Sequence, residues 1–392
     1  MNRIVSIIFY LFVATVTCAM AYQIQPYQAG EPVWICGQRT RKSVRNRLLI
    51  TGIFCILFLI MALRFDIGND YGQYTETAHE AFVGGYVVTE VGFNWLVRFL
   101  YGLAGGEYYE LLFAVFAFAT LLFFLKAFAR QSADFSQTFF LFMTLGVYFQ
   151  TFNTVRYYFA LSIAFFSMKY VLENDYLKFV FWILIAALFH KSVLLVLPVY
   201  WMATFAWKRW QIVAGLAASA ACYVGKSLVL KLALVLYPSY RNTVFLEGGV
   251  SWFSVLRALA VLAFYLWFLY VHASAKEADS GSFSSDVWKA QGWYRELRFY
   301  GQLNLLALVT GTFFSFLPVV TRISYYFGVS QLFMIPLILC NIREQKVRRK
   351  ATAIVFVVCI LYFITFLLYA HQDGVRLLPY QSWLFEPMRY VY

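Results

Sequence analysis

The chain has 392 residues, of which 62% are hydrophobic and 13% charged, and its formal net charge is +13. A soluble domain is nearer half apolar and a quarter charged, so this composition excludes one and indicates a polytopic membrane protein. The excess of positive charge does not mark a nucleic-acid partner, because most basic residues fall in short stretches between apolar runs, where they orient a membrane chain.

Arg3, the apolar run after it and Ala19-Met20-Ala21 have the outline of a cleavable signal peptide. Cleavage would leave Arg39, Arg41, Lys42, Arg45 and Arg47 outside, just before the next span, against the positive-inside rule. Residues 4–22 are therefore expected to be a retained first span with its N-terminus outside. Further apolar runs of helical length lie at 48–64, 107–125, 136–152, 155–172, 211–230, 251–271, 299–318, 322–341 and 351–370. The segment 91–104 is short and carries Arg98 and Gly102, with Gly105 and Gly106 just after it, which fits a re-entrant or interfacial helix. The pattern predicts an all-α membrane protein of about 11–13 transmembrane or re-entrant helices. It forms one integral domain over 1–392, with an extracytoplasmic loop at 65–106, a cytoplasmic loop at 272–298 and an extracytoplasmic tail at 371–392. The six cysteines show no redox or metal-ligand spacing and read as small apolar residues.

The run from Phe179 to Trp207 holds His190 and Lys191 near its middle. At about 29 residues it is too long for one simple span of about 20. Either one tilted helix passes the charges, or two short helices, 178–190 and 192–206, meet there and expose them on one face. The broken pair places the basic clusters Arg39–Arg47 and Arg343–Lys350 together in the cytoplasm. The single helix puts the second cluster outside, which the positive-inside rule disfavours.

With the broken pair, Arg64, Asp66, Asp70, Arg156, His190, Lys191, Arg241 and Arg322 all gather at the extracytoplasmic face. An arginine fork pairs with two phosphate oxygens and a lysine adds a point charge, so Arg64, Arg156, Lys191, Arg241 and Arg322 suit a diphosphate. Taken singly, Arg156 and Arg322 also fit span-end anchors that snorkel to lipid headgroups. His190, Asp66 and Asp70 are the candidate bases, His190 because an ordinary imidazole titrates near neutrality. Asp66 and Asp70 equally fit a solvated turn. Tyr71, Tyr74, Tyr157 and Tyr325 are candidate sugar platforms. No Walker loop, dinucleotide fingerprint, nucleophile elbow or zinc motif is present, and neither a metal nor a cofactor is expected.

The string Leu63-Arg64-Phe65-Asp66-Ile67-Gly68-Asn69-Asp70-Tyr71 with Tyr74 resembles the Arg-x-x-x-Gly-x-Asp-Tyr segment of the EpsG-like branch of the Wzy polysaccharide polymerases. The likeness continues through Glu90-Val91-Gly92-Phe93, Asn153-Thr154-Val155-Arg156-Tyr157-Tyr158, Phe189-His190-Lys191-Ser192, Thr321-Arg322-Ile323-Ser324-Tyr325-Tyr326 and Leu378-Pro379-Tyr380. The resemblance implies a metal-independent glycosyltransferase of GT-C-like architecture in the bacterial cytoplasmic (inner) membrane, active at its extracytoplasmic face. It would join undecaprenyl-diphosphate-linked repeat units of an O-antigen, capsule or exopolysaccharide, with undecaprenyl diphosphate leaving. Membrane lipid, flippase proteins and chain-length regulators are the implied partners. Two other readings compete: a flippase or transporter for a lipid-linked glycan, and an O-antigen ligase-like or other polyprenyl-linked-sugar transferase. A transporter is expected to show helix breaks at matching positions of two halves, and the sequence shows one.

Overall fold

The computed structural model describes residues 2–26, 34–35, 38–236, 249–278, 292–317, 320–372 and 375–384. Among them, apart from a two-residue antiparallel pair (Trp34–Ile35 with Gln38–Arg39), regular structure is helical. This is an all-α polytopic membrane protein. Six helices are long and apolar enough to cross a membrane among the described residues, or seven with one bent pair.

The chain divides into two compact units, where the sequence reading has one domain. The first comprises residues 1–166, 181–191 and 343–392; the second comprises 167–180 and 192–342. In the first unit, α1 (Arg3–Tyr22) packs on α2 (Arg41–Ala62) and α6 (Phe135–Thr144), and α2 packs on α5 (Tyr109–Gln131). Between α2 and α5 lie two short helices that pack on each other, α3 (Tyr71–Val83) and α4 (Val91–Ala104). The final long helix, here α17 (Gln345–Tyr369), packs on α6. Only 22% of the apolar windows of α2 and α17 is covered by protein, so their remaining faces are left for lipid.

The expected span 136–152 is instead two helices. Gly146 adopts φ +73°, a left-handed conformation that ends α6, and α7 (Val147–Gln150) follows. A β-carbon there would meet the Phe366 ring at 3.1 Å, so the corner is closed against α17. Helix α8 (Val155–Leu172) forms over the residues expected of it. Helix α9 (Tyr176–Ala187) ends before His190, a 3₁₀ turn covers Lys191–Leu195, and α10 (Val196–Ala203) follows. The long run is thus broken, and neither piece is long enough to span alone.

The charges of the first unit separate between its two ends. Arg3 Nη2 donates to the Leu368 carbonyl at 2.8 Å, and the Tyr380 amide donates to Ser6 Oγ at 2.9 Å. The Phe65 amide donates to Gln381 at 3.0 Å, and the Asn69 amide to Asn153 Oδ1 at 2.9 Å. The start of α1, the ends of α2 and α17, the start of α8 and the tail therefore share one end. At the opposite end the Asn46 side chain grips the backbone of Gln25, joining the end of α1 to the start of α2. The basic starts of α2 (Arg41, Lys42, Arg45, Arg47) and α17 (Lys346, Arg348, Arg349, Lys350) both lie there.

The second unit holds α11 (Arg209–Val224), α12 (Lys226–Leu236), α13 (Trp252–Ala278), α14 (Gly292–Phe313), α15 (Val320–Gly328) and α16 (Gln331–Asn341). Helices α13, α15 and α16 pack on α14, where Gln331 Nε2 donates to Asn304 Oδ1 at 2.7 Å in a buried pair. The expected span 211–230 bends by 86° at Gly225, beside Lys226. The expected 272–298 loop shortens, since α13 runs to Ala278 and α14 starts at Gly292; the residues between lie outside the described ones.

Candidate functional site

The 65–106 segment, read as a loop with one short helix, carries two, α3 and α4, at the end of the first unit opposite the basic clusters. It turns on Gly68, whose φ is +99° and whose absent β-carbon would meet the Phe152 carbonyl at 2.3 Å. This close approach docks the loop on the start of α8. There the Asn69 amide meets Asn153, and Asp70 Oδ2 accepts from Thr154 Oγ1 at 2.9 Å.

Arg156, in the first turn of α8, is the centre of the arrangement. Its guanidinium lies over the rings of Tyr74 (5.4 Å) and Phe93 (5.0 Å). Its Nη1 donates to Glu90 Oε2 at 2.6 Å, with the two side chains 18% and 16% exposed. Burial pushes the Tyr74 hydroxyl above its ordinary pKa; the Arg156 charge opposes that and Asp70 adds to it, so both groups are within electrostatic reach of this phenol.

Glu90 does a second thing. Its Oε1 accepts from the Lys191 backbone amide at 3.1 Å, and two residues later the Gly92 amide donates to the Leu188 carbonyl at 2.9 Å. The end of α9 and the start of the 3₁₀ turn each leave backbone groups without intrahelical partners. Glu90 and Gly92 satisfy one on either side of His190. A β-carbon at Gly92 would sit 2.6 Å from the Leu188 oxygen, so only glycine lets α4 come this close. Phe189 packs between Phe116 and Phe159, and the His190 ring meets the Tyr157 ring edge-on at 5.4 Å. Asp70, Tyr74, Arg156, Glu90 and the His190-Lys191 break thus form one continuous strip, with the Lys191 side chain exposed at its edge.

Other expected residues have different surroundings. Arg64 is 1% exposed, donates from Nη1 to the Met61 carbonyl at 2.6 Å, and lies over Phe113 (4.8 Å) and Phe152 (5.4 Å). It presents no guanidinium to a diphosphate. Beside it Tyr71 stacks on Phe113 at 4.6 Å and is buried, so it offers no ring face to a sugar. Tyr74 and Tyr157 are likewise buried, the first beneath Arg156 and the second beside His190. Asp66, at φ +48°, accepts from Arg376 of the tail at 2.5 Å in a half-exposed pair. Arg322 and Tyr325 belong to the second unit, Arg322 exposed in the first turn of α15 and Tyr325 half-buried one turn on. Arg241 lies outside the described residues. Sequence reasoning missed Glu90 as a site residue; the one signal was its place in Glu90-Val91-Gly92-Phe93.

Among the described residues no group of three or more His, Cys, Asp or Glu side chains converges as a metal site. In the second unit an apolar cavity of about 110 Å³ lies between α11 and α14, between Trp207, Leu216, Leu305 and Val309. No charged side chain lines it, which makes it no home for a diphosphate.

The sequence profile of the EpsG family matches residues 47–382, a range that includes the loop, Glu90, Arg156, the break and the tail. The chain belongs to the EpsG family. EpsG proteins are relatives of the Wzy-type polymerases, so membership gives a glycosyltransferase-like polymerase of the exopolysaccharide type. No curated protein and no solved structure matches this EpsG member.

Proposed function

We propose that this EpsG protein polymerises glycan repeat units carried on undecaprenyl diphosphate, at the extracytoplasmic face of the cytoplasmic membrane. The observation that carries the reading is the strip at one end of the first unit, where Glu90 links Arg156 to the broken helix at Lys191. The basic starts of α2 and α17 lie at the opposite end, which the positive-inside rule assigns to the cytoplasm.

In this reading a hydroxyl of the acceptor unit attacks the anomeric carbon of the donor glycan. The new C–O bond forms as the anomeric C–O bond to the diphosphate breaks, and that electron pair leaves with undecaprenyl diphosphate. The hydroxyl proton passes to a base, for which His190, standing at the break, is the leading group. Arg156 and Lys191 meet the negative charge that develops on the leaving diphosphate. In the same reading Asp70, which accepts from Thr154, binds acceptor hydroxyls, whereas Asp66 is engaged by Arg376. Flippase and chain-length regulator proteins are the partners expected around it.

The test is turnover of a defined undecaprenyl-diphosphate oligosaccharide by the purified protein, with and without chelator. A ladder of longer lipid-linked glycans that survives chelation is expected. Release of monomeric glycan onto another acceptor would favour a ligase, and no new bond at all would favour a transporter. Cysteines at Arg45 and Gln73, in a cysteine-free background, should label from opposite sides of the membrane.

A further inference from the structure

Arg156 is the strip's best phosphate ligand, yet one arm of its fork, Nη1, is already engaged by Glu90. A carboxylate presents the same oxygen geometry to a guanidinium that a phosphate does. Glu90 also differs from an ordinary partner in being held from behind. Its second oxygen takes the Lys191 amide at 3.1 Å, and the Gly92 amide, bonded to Leu188 at 2.9 Å, pins its backbone. It therefore stays beside Arg156 after losing it, instead of rotating into solvent. The Arg156 Nε is buried and makes no hydrogen bond among the described residues, so the guanidinium has donor capacity that Glu90 does not use.

We infer that Glu90 is a positioning residue that acts as a resident competitor for the carrier diphosphate. In the empty protein it holds Arg156 over Tyr74 and Phe93 and locks the break, which orients His190. Donor diphosphate displaces its Oε2 from Arg156 while Oε1 keeps the Lys191 amide. After transfer, the returning carboxylate pushes undecaprenyl diphosphate off Arg156 and limits product affinity. This inference rests on the reading that Arg156 binds diphosphate.

The experiment measures binding of radiolabelled undecaprenyl diphosphate to the full-length protein in detergent micelles. Glu90→Gln keeps an acceptor oxygen for the Lys191 amide and removes the charge that competes for Arg156. It should bind the probe about tenfold more tightly than wild type, and the gain should vanish when Glu90→Gln is combined with Arg156→Ala. A residue that merely supported the fold would give no gain in affinity. Equal or weaker binding by Glu90→Gln, with Arg156→Ala clearly weakened, overturns the competitor and leaves the diphosphate site standing. A gain that persists in the double variant also overturns it, since the gain then bypasses Arg156. Wild-type affinity in Arg156→Ala removes both the diphosphate reading and the competitor. Should Glu90→Gln not yield folded protein, Glu90→Asp carries the same test. Its side chain is one methylene short of spanning Arg156 and Lys191, so affinity should rise in the same direction by less, and an unchanged or lower affinity rejects the idea.

Discussion

Arg64 and Arg156 stand at the same end of the first unit, each beside a span boundary and each sandwiched by two aromatic rings. What surrounds the charge otherwise differs. Arg64 is closed off at 1% exposure, meets no carboxylate among the described residues, and satisfies one nitrogen on the Met61 carbonyl. Burial lowers its pKa from 12.5 to about 10, so it remains charged at neutrality. Arg156 keeps 18% of its side chain exposed and faces Glu90. Ring faces stabilise a guanidinium but cannot be exchanged for a ligand. A carboxylate can. A diphosphate at Arg64 would also have to shed all its water, a cost that pairing in a closed site rarely recovers. One arginine is sealed among aromatic rings; the other holds an ion pair that stays partly open to solvent.

The largest expected effect follows from replacing Arg156. Losing a fork on the leaving diphosphate should cost roughly two orders of magnitude in rate. Arg156→Ala should therefore abolish the polymer ladder at normal protein level, and Arg156→Lys should recover little of it. A full ladder in Arg156→Ala cells ends the distinction between the two arginines. Gly92→Ala comes next. It leaves every charge in place but drives a β-carbon onto the Leu188 oxygen, shifting the break relative to Arg156. A misplacement near 1 Å is enough for a loss of roughly tenfold or more in turnover per folded molecule. Gly102→Ala, in the same helix with open space around it, should be neutral. If Gly92→Ala turns over like Gly102→Ala, the register between α4 and the break does not matter.

Arg64 sharpens the comparison from the other side. Arg64→Ala opens a cavity among Phe113, Phe152 and Tyr71 and strands the Met61 carbonyl, and should destabilise by several kcal/mol. Arg64→Met refills the volume and leaves no counter-charge unpaired, so its thermal midpoint in detergent should fall far less. Polymer per folded molecule should survive in Arg64→Met and not in Arg156→Met. Loss of polymer in a stable Arg64→Met protein would return Arg64 to the reaction.

The broken span at His190 was legible because charges in an apolar run have few explanations. Lys226 carried the same signal for the bend at Gly225, inside a run read as one helix. The corner at Gly146 was not legible, since hydropathy cannot see a left-handed φ when both sides stay apolar. Arg64 misled for a related reason. Beside Asp66 and Asp70 it reads as a polar-loop residue, but it is buried with Tyr71 of the same string nearby and Phe113 and Phe152 from elsewhere against it. Arg156 and His190 could be picked one at a time. Glu90 could not, because its meaning is its reach to residues 66 and 101 positions away.

The smallest effect belongs to a solvent-exposed ion pair in the same region. His79 Nδ1, in the second half of α3, lies 2.9 Å from Glu107 Oε2, just before α5, with both groups well exposed. The hydrogen bond to Glu107 and its charge raise the His79 pKa above 6.5. The pair's stabilisation is therefore fully present below pH 6.5 and fades as pH rises through the folded-state pKa. Exposed pairs of this kind contribute little and are screened by salt. His79→Gln should lower the thermal midpoint slightly at pH 5.5 and not at pH 8.5, with the difference shrinking further in high salt. Turnover at neutral pH should not change. A drop of the same size at both pH values would mean that His79 is held by packing and not by its charge.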